Sequence, residues 1–191
     1  MISLEELLRD ICDGIVRLDT SGENFRSFQP GAGPYGEPQL IRAIAAHLST
    51  VSRYKNRPKV MRTPDLLVPG EWALEFKIAR PFGDNGKEAE NWSVNLLHPY
   101  CGNASALGDC LKLLKYAGKE RRAVVTVWYE HSSPIVEYKP LIRSFEVIAD
   151  QVLGLNLSNC VSLEYRSLIH PVHQTLRLFA WEVLPGGPSF A

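Results

Sequence analysis

The chain of 191 residues lacks several things that would define its chemistry at once. No apolar run approaches the ~20 residues that a membrane-spanning helix needs. Cysteines number only four, at Cys12, Cys101, Cys110 and Cys160. None belongs to a C-x-x-C pair or sits near a suitably spaced histidine, which argues against zinc, and the low density argues against a disulfide framework. Net charge is absent too: 21 basic residues balance 21 acidic ones, unlike a general nucleic-acid coat protein. There is no G-x-S-x-G elbow. The segment G-A-G-P-Y-G at 31–36 lacks the preceding strand and the lysine of a phosphate loop. The H-P-V-H segment at 170–173 has no partner carboxylate and reads as a structural turn. Trp92, Tyr100, Trp128 and Trp181 are dispersed and form no base-stacking platform with basic residues. The first residues, M-I-S-L-E-E-L-L-R-D, are acidic and amphipathic rather than signal-like, so a cytoplasmic location with no membrane association is expected.

What is present is the composition of a packed globule, with 45% hydrophobic and 22% charged residues. The length suits one domain, expected over 1–185 with a flexible tail at 186–191. Ser3 and Glu6 form a capping-box pattern ahead of a helix near 3–18. A Gly- and Pro-rich loop over 20–38 precedes a second helix that starts near Glu37-Pro38 and runs to about Ser52. Two hairpin arms are expected at 58–68 and 72–80, a polar connection at 81–93, and a helix at 104–117 closed by Gly118. The run Ala123 to Tyr129 reads as a central strand buried on both faces. A helix from Pro140 to about Leu153 and strands at 161–168 and 174–183 complete a layered α/β domain.

The best-patterned stretch runs from Thr63 to Arg80 around a Pro69-Gly70 turn. Its second arm alternates: Trp72, Leu74, Phe76 and Ile78 share one face, and Ala73, Glu75, Lys77 and Ala79 the other. That period of two predicts a half-buried strand. Glu75 and Lys77 then point the same way, roughly 7 Å apart. Asp65 closes the preceding arm, so a hairpin can bring Asp65, Glu75 and Lys77 to one spot. Two carboxylates can hold a divalent metal, with the amine beside a water or a phosphate. Just upstream, Arg53, Lys55, Arg57, Lys59 and Arg62 form a basic run without an acid, which suits a phosphodiester-binding surface or, equally, a solvated segment.

Pro64-Asp65, nine residues, and then Glu75-Phe76-Lys77 resembles the PD-(D/E)xK motif of restriction-endonuclease-like nucleases. The resemblance implies a restriction-endonuclease-like core, a mixed central β-sheet flanked by helices. It implies Asp65 and Glu75 as metal ligands, the Phe76 carbonyl as a further ligand, and Lys77 orienting or deprotonating the attacking water. The implied cofactor is Mg²⁺, with Mn²⁺ as a substitute. Glu37 is the candidate for the extra helix-borne carboxylate of many relatives, in the catalytic and metal sets alike. Lys112 is a weaker candidate for phosphate contact. The implied activity is phosphodiester hydrolysis on nucleic acid, with DNA first, by a homodimer or beside a partner subunit. The alternative is a nuclease-like binding or assembly subunit of a nucleic-acid-processing or defence complex with weak or no intrinsic activity.

Overall fold

The computed structural model describes residues 1–54, 57–89, 91–99 and 105–186. Lys55, Cys101 and the expected tail beyond 186 lie outside the described residues. Helix α1 (Leu4–Thr20) starts at the capping box: the Ser3 hydroxyl accepts from Glu6 N at 3.2 Å, and the Glu6 carboxylate accepts from Ser3 N at 2.9 Å. Helix α2 (Glu37–Thr50) carries Pro38 in its first turn, where a missing N–H costs nothing.

A seven-stranded mixed sheet follows: β1 (Lys59–Val60), β2 (Leu66–Val68), β3 (Trp72–Ala79), β4 (Arg121–Glu130), β5 (Asn156–Leu157), β6 (Val161–Arg166) and β7 (Thr175–Leu184). Strands β1, β2 and β3 form an antiparallel meander. Strand β3 then pairs parallel to β4 after a crossover containing α3 (Val94–Leu97) and α4 (Ala106–Leu114). Strand β7 lies antiparallel to β4, and its other edge carries β6 and β5. Helix α5 (Lys139–Val147) ends in a π-helical turn, Ile148–Val152.

Helices cover both faces. On one, Leu7, Ile11 and Ile15 of α1 and Leu40 and Ile44 of α2 pack on Trp72, Leu74, Phe76 and Ile78. On the other, Leu107, Cys110 and Leu113 of α4 and Phe145 of α5 pack on Ala73, Val124, Trp128 and Trp181. No helix among the described residues is long and apolar enough to cross a membrane.

Three expectations need correcting, and two short elements were not expected. The arm at 58–68 is two strands folded on each other, with Met61 N donating to Asp65 O at 3.0 Å. Pro64, which has no N–H for a ladder, sits in the break. Strand β3 is not half-buried; all eight residues are buried, because α4 covers the face that carries Glu75 and Lys77. The helix at 104–117 stops at Leu114, where Tyr116 folds back over Gly118; a Cβ there would lie 2.2 Å from the tyrosine oxygen. The two-residue β5 and the single-turn α3 are too short to leave a periodic signature.

The Gly-rich loop is stapled to the H-P-V-H turn. Asp19 accepts from Ala32 N and Ile169 N, each at 2.8 Å. His173, fully buried, donates from Nε2 to Phe82 O at 2.9 Å. Arg80 Nη1 donates to Gly33 O at 2.7 Å. A Cβ on Gly33 would come 2.3 Å from His173 Nδ1, so only glycine fits. Gly33→Ala is expected to lower stability by about 1–3 kcal/mol, seen as a lower urea midpoint with an unchanged slope. An unmoved midpoint would contradict this packing.

Candidate functional site

The hairpin brings Asp65 and Glu75 together. Its register pairs Leu66 with Leu74, and one more step sets Asp65 opposite Glu75. Directly opposed residues of an antiparallel pair have Cβ atoms about 4.5–5.5 Å apart, so their carboxylates interact. Asp65 Oδ2 also accepts from Phe76 N at 2.8 Å, which fixes the carboxylate against the backbone of the next strand. Glu75 is only 3% exposed, and its Oε1 is buried without a hydrogen-bond partner. Burial first, then the neighbouring Asp65 and Asp109, push the Glu75 carboxyl up to about 8. The Asp65 carboxyl is raised as well, chiefly by burial. Both shifts favour one proton shared by the pair over two adjacent negative charges.

Lys77, two residues along the same face and 8% exposed, is held from two helices. Its Nζ donates to Glu37 Oε1 at 3.2 Å and lies 3.2 Å from Asp109 Oδ2. Burial pulls the Lys77 pKa down, but Asp109 and Glu37 outweigh it and the net shift is upward. The side chain is therefore an ammonium, suited to neutralise charge or donate to a water, and unsuited to deprotonate one. Glu37, the first residue of α2, comes from the opposite helical layer; burial raises its carboxyl while Lys77 works against that. Lys112 Nζ donates to Asp109 Oδ1 at 2.6 Å, so one fully buried carboxylate ties two amines.

Asp109 was not among the site residues expected from the sequence, yet it left a signal. Helix α4 buries Ala106, Asp109, Cys110 and Leu113, a helical stripe of i, i+3, i+4 and i+7 with one charge in it. A charge inside an apolar stripe needs a partner.

The cluster holds four carboxylates (Glu37, Asp65, Glu75 and Asp109) and two ammoniums (Lys77 and Lys112). Fully ionised, it carries two surplus negative charges, the charge that one divalent cation would balance. That surplus, together with the orphaned Glu75 Oε1, fits a hard cation with oxygen ligands. Glu37 is engaged with Lys77, and among the described residues no group of three or more His, Cys, Asp or Glu side chains is arranged to hold a metal. The fit therefore rests on Asp65, Glu75 and the Phe76 backbone.

The basic run is dispersed by the fold. Arg53 donates to Asp10 at 2.6 Å and lies 3.9 Å from Glu6, so its charge is partnered on α1. Arg57 donates to the backbone oxygens of Tyr54 and Arg53, each at 3.1 Å. Lys59 is exposed on the edge strand β1, and exposed Arg62 lines a cleft that reaches Asp65. Comparison with family models, characterised proteins and solved structures finds no match.

Because the Glu75 carboxyl is raised in the folded chain, the native state binds a proton that the unfolded state has released between about pH 5 and about pH 8. Metal-free stability should therefore fall as pH rises through that window. Glu75→Gln mimics the protonated form. It should stabilise the metal-free chain by more than about 1 kcal/mol near pH 8 and do little near pH 5. Equal effects at both pH values would contradict a shared proton.

Proposed function

We propose that this chain is a metal-dependent nuclease that hydrolyses phosphodiester bonds, with a restriction-endonuclease-like core and DNA as its first candidate substrate. The observation that carries the reading is the opposed pair of half-buried Asp65 and buried Glu75, short of a partner at Glu75 Oε1, and followed two residues later by the Lys77 ammonium. The mixed sheet with the motif on an antiparallel hairpin and a parallel neighbour strand supports the same reading.

Asp65, Glu75 and the Phe76 backbone would hold the cation. A bound Mg²⁺ supplies positive charge to the phosphate and acidifies a water next to it. Asp65 is oriented by the Phe76 N–H. Lys77 presents its ammonium to the negative charge that grows on the phosphate oxygens as water attacks. Glu37 and Asp109 keep that ammonium charged and aimed. Cleavage would leave one product with a terminal phosphate and the other with a hydroxyl.

The competing reading, a nuclease-like binding subunit, draws on Lys77 being engaged by two carboxylates. It predicts nucleic-acid binding without turnover.

The test is cleavage of supercoiled plasmid and labelled oligonucleotides with millimolar Mg²⁺ or Mn²⁺. Asp65→Ala and Lys77→Ala should each lose about 100-fold or more in rate. Full activity in both variants would overturn the assignment. Mg²⁺ should also raise the melting temperature of the wild type and leave that of Asp65→Ala unmoved, since a ligand bound only by the native state stabilises it by about 2.7 kcal/mol at a hundredfold excess over Kd.

A further inference from the structure

A cleft of about 260 Å³ opens beside the carboxylate pair, between the first turns of α2 and the edge strand β1. At its inner end lie Glu37 and Asp65, which belong to the site described above. Its rim carries Arg42 and Arg62, both exposed, and neither guanidinium takes part in an ion pair or hydrogen bond among the described residues. In this they differ from Arg53 and Arg57, whose guanidinium groups are hydrogen-bonded within the chain. Arg42 lies outside the basic run and reaches the cleft only because α2 folds over β1. It sits five residues, or about 7.5 Å of helix axis, beyond Glu37.

Between the arginines, Val60 and Met61 are each 44% exposed on the two-residue edge strand and the turn after it. Charged side chains are the usual protection for an open sheet edge, and apolar ones there are an exposure that calls for a use. The cleft is smaller than the ~300–1,000 Å³ of small-molecule pockets, so it takes a sugar or a base rather than a whole compact ligand. Two unpaired guanidiniums around an apolar floor, next to an acidic metal-type centre, match a repeating chain of phosphates joined by less polar units.

Building on the nuclease reading, we propose that this cleft is the subsite for the nucleotide adjoining the scissile phosphate. Arg42 and Arg62 hold the phosphates on either side of that nucleotide, and Val60 and Met61 support its sugar or base. The polynucleotide strand thus leaves the Asp65–Glu75 centre along α2 and crosses the β1 edge.

The experiment measures fluorescence anisotropy of a fluorescein-labelled DNA duplex, and of an RNA of the same sequence, with the full chain in EDTA across a series of NaCl concentrations. The double variant Arg42→Ala/Arg62→Ala should bind the preferred oligonucleotide about tenfold more weakly, and its log–log salt slope should fall by about two, one per lost phosphate contact. Because both side chains are exposed and unpaired, the melting temperature should not change. Arg143→Ala, an exposed arginine on α5, is the control and should keep the wild-type slope. A wild-type slope in the double variant overturns the subsite, as does a wild type that binds neither oligonucleotide. If Asp65→Ala abolishes cleavage while the double variant keeps its slope, the subsite fails and the nuclease reading stands. If the slope falls by two while Asp65→Ala cleaves normally, the subsite stands and the catalytic assignment fails.

Discussion

Two carboxylates forced together across a hairpin, Glu75 buried and Asp65 half-buried, are the constraint on which the rest of this structure turns. Asp65 and Glu75 oppose each other across an antiparallel pair, and no rotation of either strand can separate them without moving side chains of both cores. Their repulsion raises both carboxyls, and the Phe76 N–H offsets it at Asp65. One buried oxygen, Glu75 Oε1, is left without a partner. A fold selected for stability alone would replace such a pair by apolar residues, since buried charge is weak evidence of stabilisation.

The layers explain how that arrangement is held. Trp72, Leu74, Phe76 and Ile78 anchor β3 to α1 and α2, while the parallel pairing with β4 brings α4 down over the other face. Asp109 thereby arrives over Lys77 from a helix that follows the strand, and Glu37 arrives from a helix that precedes it. The lysine is clamped as an ammonium by two elements that meet only in the finished fold. A lysine so held carries positive charge and is unsuited to take up a proton. The same folding event lays α2 along the sheet edge, so Arg42 and Arg62 face one cleft although they are distant in the chain.

Much of this was legible in the sequence because it is local. Asp65 and Glu75 each lie five residues from Gly70, so a hairpin turning there brings them near each other. The capping box at Ser3 and Glu6 and the apolar run of β4 were equally plain. Burial of Glu75 and Lys77 was not, because a polar face on an alternating strand reads as solvent-facing until α4 is placed on it. Asp109 was written into an apolar helical stripe, yet its partner Lys77 lies 32 positions earlier, beyond any local pattern. The basic run misled in the other direction. A row of charges says nothing about partners, and Arg53 is claimed by Asp10, 43 residues away.

The central claim is that Asp65 and Glu75 together bind one divalent cation. Crystals grown with Mn²⁺ and measured at a wavelength where manganese scatters anomalously test it most directly. The account predicts one strong anomalous peak between the two carboxylates and beside the Phe76 backbone, lost in Asp65→Asn. A map from saturating Mn²⁺ with no peak there would contradict it.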